Sequence, residues 1–482
     1  MTRLSFLLVV GALVVACRDS VEPAQRAPGA PQFSFVTDVT VTDLGTLGGG
    51  YSYAVAVNNS GQVAGNSATA SGDQHPFVWQ KGTMTDLGTL GGSFGQVANA
   101  INDLGQVVGY GWTIGDASYH ALLWQNGTMT DLGALTGCCS NAVAVNGLGQ
   151  VVGNGSTTGS LDPHAFLWQS GTMTDLGTLG GCCSYAYALN DLGQVVGYSF
   201  TAGAWHAFLW QNGSMIDLGT LGGCCSQAVA VNGIGQVVGR SFTAAGGSHA
   251  FLWQNGTMTD LGTLGGCCSW AAAVNGLGQV VGNSYTTGDV SYHAFLWQNG
   301  TMTDLGTLGG DYNSDALAVN DLGQVVGSST TVGDDIRRAF LWQNGTMTEL
   351  GSVGGTSNEA VAVNALGQVV GSSLTTGNVE QHATLWDTLR PATPAEEVSI
   401  LTNDVNNLNT SGVLNQGQAQ ALLARLEVIS RQLNSGNNTA AITLLQSFIN
   451  QVRAYVNAGL LSAADGQTLI DAAQHAIEQL SA

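Results

Sequence analysis

Three kinds of side chain able to do chemistry recur along this chain at fixed places. Histidines stand at His75, His120, His164, His206, His249, His293 and His382. Adjacent cysteines stand at Cys138-Cys139, Cys182-Cys183, Cys224-Cys225 and Cys267-Cys268. Carboxylates stand at Asp43, Asp86, Asp131, Asp175, Asp217, Asp260, Asp304 and Glu349. Imidazole, thiolate and carboxylate bind metals and move protons. The repetition argues against both uses. Equivalent atoms on successive repeats lie too far apart to share an ion with bonds of about 2.0–2.1 Å. Each His is therefore expected to bond backbone at a strand edge. Each Asp is expected to accept N–H groups of the turn that follows it. Calcium is the alternative for the carboxylates. It needs roughly six to eight converging oxygens, and no spaced Asp/Asn/Glu loop supplies them. No metal, cofactor or catalytic residue is assigned. No nucleophile–base arrangement, phosphate-loop Lys or dinucleotide pattern is present.

The cysteine pairs leave more open. An even number in an exported chain permits disulfides. A bridge between adjacent residues is strained, so the expected bridges join neighbouring repeats; free buried thiols and metal are the alternatives. Four other repeats carry Gly50-Tyr51, Ser93-Phe94, Asp311-Tyr312 and Thr356-Ser357 there. An aromatic in place of the second Cys also suits packing.

The elements that position these groups follow from the repeat itself. The word His-Ala-Phe-Leu-Trp, complete at 164–168, 206–210, 249–253 and 293–297, recurs in degenerate form up to Trp79, Trp124, Trp342 and Trp386. The period is about 44 residues, which marks a repeat architecture. Each unit reads as four strands. In one of them, Tyr185 to Leu189 form the first, and Asn190-Asp191-Leu192-Gly193 a turn. Gln194 to Phe200 form the second, and His206 to Gln211 the third. Asn212-Gly213 is a strong hairpin signal, and Met215 to Leu218 form the fourth. Four antiparallel strands of this length make a propeller blade. Small residues such as Ala228 and Ala230 suit the crowded inner strand. Trp79, Trp124, Trp168, Trp210, Trp253, Trp297, Trp342 and Trp386 read as wedges between blades, each hiding about 150–250 Å². The last unit lacks a fourth strand, and residues 39–44 match one that has no partners before it. The expected fold is an all-β eight-bladed propeller over 38–390, closed by the N-terminal strand beside 382–386. A linker (391–395) and a small α-helical bundle (396–482) follow. The Leu422/Leu423/Leu426/Ile429/Leu433 and Leu444/Leu445/Phe448/Ile449/Val452/Val456 stripes read as its core, and Ser462 to Asp465 as a capping box.

Composition narrows function by exclusion. Charged residues are 9% of the chain, Gly numbers 69, and the net charge is −21. Such acidity opposes nucleic-acid binding. Residues 1–17 read as a lipoprotein signal peptide: Arg3, an apolar run too short to span a bilayer, then Val14-Val15-Ala16-Cys17, which resembles a bacterial lipobox. Cys17 would be acylated and anchor the chain to the outer membrane or cell surface. Residues 18–37, with Pro23, Pro28 and Pro31, read as a tether.

Three words carry a resemblance: Thr-Asp-Leu-Gly-Thr-Leu-Gly-Gly (174–181), Asn-Asp-Leu-Gly-Gln-Val-Val-Gly (190–197) and His-Ala-Phe-Leu-Trp (206–210). Residues 38–387 resemble the HAF family of extracellular repeats. That resemblance implies an exported, propeller-like array without catalytic residues. Arg338 departs from it by standing where His stands elsewhere. The C-terminal stretch, best at Leu444 to Val452, resembles the FIMAH-type helical module of secreted bacterial proteins.

Strand polarity puts the variable second-to-third loops and the Gly-Gly crossovers on one face. Tyr110, Trp112, Tyr119, Tyr198, Trp205, Tyr285 and Tyr292 are expected in those loops, with Asp116, Asp162, Asp289, Asp334 and Asp335; Trp270 sits beside a crossover. Aromatics with polar neighbours suit a ligand surface. The expectation is a monomeric binding or display scaffold for an extracellular glycan or protein. A polysaccharide-degrading propeller enzyme and a purely structural envelope protein are the alternatives.

Overall fold

The computed structural model describes residues 39–158, 162–331, 334–388, 394–410 and 413–481. The expected signal peptide, Cys17 and the tether lie outside them. The described chain is all-β up to Asp387 and helical from Pro394, so the helical part begins inside the expected linker.

The β region is a series of four-stranded antiparallel units, designated I to VIII. Unit IV shows the pattern: strands Ser184–Leu189, Val195–Phe200, Trp205–Gln211 and Ser214–Asp217 pair in order. The first and second strands join through the Asn-Asp-Leu-Gly turn, where Gly193 has φ +72°. The third and fourth join through Asn212 (φ +52°) and Gly213 (φ +79°). Two successive left-handed residues make the type I′ turn that matches strand twist, which is why Asn-Gly recurs there. In unit VIII the fourth strand comes from the other end of the chain. Thr40–Asp43 pairs antiparallel with Gln381–Asp387, from Thr40 opposite Asp387 to Asp43 opposite Thr384.

Each third strand packs two ways. Its Ala and Leu face the following unit, and its Phe and Trp the preceding one. Between units III and IV the core holds Val152, Ala165, Leu167 and Leu176 from one side and Ala186, Val195 and Phe208 from the other. Val370, Ala383, Leu385, Leu44, Ala54, Val63 and Phe77 fill the same seven slots between units VIII and I. The repeated Trp pack against these inter-unit cores as the sequence reading expected, but partly buried; the fully buried side chain is Phe, at Phe77, Phe166, Phe208, Phe251, Phe295 and Phe340, and of the eight Trp only Trp386 is fully buried. Phe sits opposite the Gly of the second strand, as Phe166 does opposite Gly153. A Cβ on Gly153 would stand 2.6 Å from that ring and 2.0 Å from the Asn141 carbonyl oxygen. The missing side chain is what admits the ring.

Every inner strand carries a bulge that the sequence reading did not anticipate. In unit IV the register shifts between Ala186 and Ala188, leaving Tyr187 unpaired. Bulges increase local twist and re-aim a side chain; Tyr187 is exposed. At the far end of these strands a buried Asn binds the next unit. Asn58 Nδ2 donates to the Asn102 carbonyl at 2.9 Å. The same bond runs from Asn102 to Asn146, then to Asn190, Asn232, Asn275, Asn320 and Asn364. Asn364 in turn donates to the Asn58 carbonyl at 2.9 Å.

The helical part contains α1 (Pro394–Thr410), α2 (Gln416–Asn434), α3 (Asn438–Asn457) and α4 (Ala463–Ser481). Leu422, Leu426, Ile429, Leu445, Phe448, Ile449 and Val452 form its core with Leu401, Val405 and Ala473. Ser462 Oγ accepts the Asp465 N–H at 3.0 Å, the cap read from sequence. No described helix is long and apolar enough to cross a membrane.

Candidate functional site

The repeated histidines do not bond backbone, which corrects the expectation. In six of the seven, Nδ1 meets the carboxylate eleven residues on, as in His206–Asp217 and His293–Asp304 at 2.8–2.9 Å. His382 pairs with Asp43 at 2.8 Å, across the junction of the two chain ends. The carboxylate also caps its turn as expected: the Gly219 N–H donates to Asp217 Oδ1 at 2.8 Å. Burial pushes the Asp304 carboxyl up, but hydrogen bonds from His293 and Gly306 outweigh it and hold the group below its ordinary range. In unit VII both partners change together, and Arg338 pairs with Glu349 at 3.0 Å. The exchange leaves the buried Arg338 Nε without a partner. No described hydroxyl or thiol hydrogen-bonds any of these histidines at Nε2; His382 Nε2 meets Glu380 at 3.3 Å. The His206–Asp217 pair joins the third strand of its unit to the fourth.

What is not repeated is aromatic. Three clusters occupy units II, IV and VI. Trp112 packs on Phe94 at 5.1 Å and on Tyr119 at 5.5 Å, and Tyr119 meets Tyr110 at 5.7 Å. In unit IV, Tyr185 stacks on Tyr198 at 4.8 Å and 13°. Tyr187, Phe200 and Trp205 extend that stack to either side. In unit VI, Tyr285 lies between Trp270 (5.7 Å) and Tyr292 (5.9 Å). The expected loop aromatics thus lie on strands, not in loops: Tyr110, Trp112, Tyr198 and Tyr285 on second strands, Tyr119, Trp205 and Tyr292 opening third strands, and Trp270 on an inner strand. Fixed strands present these rings at lower entropic cost than loops would.

Two acidic residues expected on this face are committed to the fold. Asp116 (φ +54°) and Asp289 (φ +56°) adopt left-handed backbone, which folds the carboxylate back onto the crossover. Asp116 accepts the Ser93 N–H at 2.8 Å and the Ser93 hydroxyl. These bonds hold its carboxyl below its ordinary range. Asp289 accepts the Cys267 N–H at 2.6 Å. The contacts also show that loops and crossovers share a face, as strand polarity required. The side chains of Asp334 and Asp335 lie outside the description.

Polar residues that sequence reading missed flank the unit IV and VI clusters. Arg240 donates to Gln227 at 3.1 Å. Arg337 donates to the Tyr292 hydroxyl at 2.6 Å, to Ser328 at 2.8 Å and to Asp315. Burial raises the Glu359 carboxyl, with Arg337 opposing and Asp315 adding to the effect. The available signal was their departure from the repeat.

The cysteines differ from expectation too. Cys182 and Cys183 are joined to each other, not to a neighbouring unit. Cys138, Cys139, Cys224, Cys225, Cys267 and Cys268 are free. No bridge between units is formed among the described residues. Among the described residues, the single metal-spaced group is Asp162 with Cys182 and Cys183, whose sulfurs already bind each other.

At the opposite end, the Asn turns of seven units line an open concavity of about 410 Å³, with Asp103, Asp191 and Asp321 at its wall. Each of these carboxylates accepts a backbone N–H from the preceding turn, at Asn59, Gly147 and Gly276.

Comparison with solved structures gives matches of low identity. A puromycin-hydrolyzing peptidase of Mycobacterium tuberculosis is 12% identical over 64% of this chain and 56% of its own, with a TM-score of 0.39. Dipeptidyl peptidase 4 of Porphyromonas gingivalis is 12% identical over 68% and 58%, also at 0.39. TolB of Acinetobacter baumannii is 11% identical over 67% and 79%, at 0.32. The chain therefore spans little more than half of either peptidase. A search of curated proteins found no match. Residues 398–478 match the FIMAH domain model, so the four-helix part of this chain is a FIMAH module.

Proposed function

We propose that the chain is an exported, lipid-anchored scaffold that binds an extracellular ligand, glycan or protein, and that it is not an enzyme. In this reading Cys17 carries the anchor, the repeats are of the HAF type, and units I to VIII close into an eight-bladed propeller. Three observations support closure: the identical seven-slot core between VIII and I, the Asn364–Asn58 bond, and the pairing of Thr40–Asp43 with the last strand. The ligand reading rests on one observation. The His–Asp pairs recur in every unit but one and are spent on fastening strands, whereas the aromatic clusters are confined to units II, IV and VI.

The test is a screen of the full-length protein against glycans and envelope extracts, alongside Trp112→Ala and Trp205→Ala. An aromatic anchor is worth about 2 kcal/mol or more at a binding hot spot, so either change should weaken binding roughly 30-fold while the β spectrum stays intact. A folded protein that binds nothing, or binds equally well without both rings, refutes the ligand face. A polysaccharide hydrolase or lyase is favoured by one observation, the unit-specific Asp315–Arg337–Glu359 group. Loss of polysaccharide cleavage in Asp315→Asn and Glu359→Gln would decide for it.

A further inference from the structure

Four cysteine pairs occupy one position of the repeat, each just ahead of a serine held in the same way, yet one is bridged. Ser140, Ser184, Ser226 and Ser269 each donate to the carbonyl of the glycine seven residues earlier. Each also accepts the N–H of the Ala in the preceding unit's third strand, at 2.8–2.9 Å. At that position the two cysteines differ in the same sense every time. Cys138, Cys182, Cys224 and Cys267 are exposed, and Cys139, Cys183, Cys225 and Cys268 are partly or fully buried. Each open pair is of adjacent residues, as the bridged Cys182-Cys183 pair is.

We propose that the four pairs are one redox site repeated in units III to VI, and that Cys138-Cys139, Cys224-Cys225 and Cys267-Cys268 close to adjacent-residue disulfides as Cys182-Cys183 has. The exposed cysteine is the attacking thiol and the buried one resolves. The co-reactant is a disulfide, protein-borne or small. The Cys138 thiolate attacks one of its sulfurs, that S–S bond breaks, and the first thiolate leaves with a proton. The Cys139 thiolate then attacks the Cys138 sulfur of the mixed disulfide, and the second thiolate leaves with the second proton. Two cysteine thiols are oxidised, and one external disulfide is reduced to two thiols.

Thiolate availability orders the pairs. The Cys138 thiol is held down by the Cys139 sulfur and the Ser156 hydroxyl. Burial pushes the attacking Cys267, which faces Asp289 as well, up to about 12, and the resolving Cys225 up to about 11. The site also adjoins the aromatic clusters: Tyr119 and Trp205 hydrogen-bond Cys139 and Cys225 through their backbones. Closure would therefore bear on ring placement, a consequence that rests on the ligand-face reading; the redox chemistry itself does not.

The experiment treats the reduced full-length protein with glutathione disulfide at pH 7, alkylates at intervals and maps peptides without reduction. The expected result is loss of alkylation at all eight paired cysteines, Cys182 and Cys183 included, with each bridge inside one peptide. The 138–139 pair should close roughly tenfold or more faster than 267–268, and Cys139→Ser should trap glutathione on Cys138. Bridges joining different pairs, cysteines that stay alkylatable at equilibrium, or glutathione retained on the unsubstituted pairs would overturn the proposal. A ligand-binding screen has no part in this readout, so failure of the ligand face and failure of the redox site are told apart.

Discussion

Leu44 offers a direct measure of whether the N-terminal strand completes the last unit. It is 6% exposed and packs with Ala54, Val63, Phe77, Val370, Ala383 and Leu385. Leu176 is also 6% exposed and holds the same slot between units III and IV, but it follows its own sheet directly in sequence. Leu→Ala removes three buried carbons, worth about 0.8 kcal/mol each in transfer, and leaves a cavity. The total is about 2.5–4 kcal/mol at either position. The substitutions should therefore lower the denaturant midpoint of the β region together, agreeing within about 1 kcal/mol, about half the spread that one chemistry shows across unlike sites. Intrinsic tryptophan fluorescence reads the transition, because each unit carries a Trp. If Leu176→Ala shifts the midpoint and Leu44→Ala does not, the N-terminal strand is an accessory to the fold, and the closed eight-bladed reading fails with it.

Two further outcomes follow from burial and charge. Phe208→Ala should cost about 3–5 kcal/mol and Trp210→Ala clearly less, since Phe208 is fully buried and Trp210 is not; equal losses in parallel unfolding curves would refute that ranking. In the helical module, burial raises the Asp404 carboxyl to about 6. The folded state then holds a proton that the unfolded state releases near pH 4, so module stability is greatest below pH 4, falls as pH rises to 6, and stays reduced above. Asp404→Asn should remove that slope and gain up to about 3 kcal/mol at pH 7, read from helix unfolding by circular dichroism across pH; a slope that persists in the variant assigns the titration elsewhere.

Much of the fold was legible because its signals are local. Asn-Gly and Asn-Asp-Leu-Gly fix turns within a few residues, and the unpaired Val-Thr-Val-Thr-Asp segment announced its place beside the last strand. The histidine was misread although the turn already held the answer. With Asn212-Gly213 as the hairpin, Phe208 falls opposite Asp217, which puts His206 diagonally across from that carboxylate and within reach. The paired change to Arg338 and Glu349 was a second signal. Burial of Phe over Trp came from a cross-strand relation, ring over glycine, that neither strand shows alone. Nor could a repeat of period two reveal the bulges, since they appear only when both strands are laid in register.

The junction of the chain ends shows how the repeat accommodates an exception. Unit VIII has Thr384 opposite Gly371, where other units place Phe or Leu. A smaller side chain in that slot would leave a void between units VII and VIII. Trp386, two residues on and on the same face, takes up the space instead. It is fully buried among Val326, Ala339, Leu341, Leu350, Ala360 and Val369, with Val39 and Val41 packed against the cluster, and its indole N–H reaches the Gly351 carbonyl at 3.2 Å. Trp386 is thus the one repeated Trp that is fully buried between units, where the other seven pack partly buried against the same cores. It is so because the Phe is missing and because the N-terminal strand covers it, so removing residues 38–44 should expose this Trp before any other.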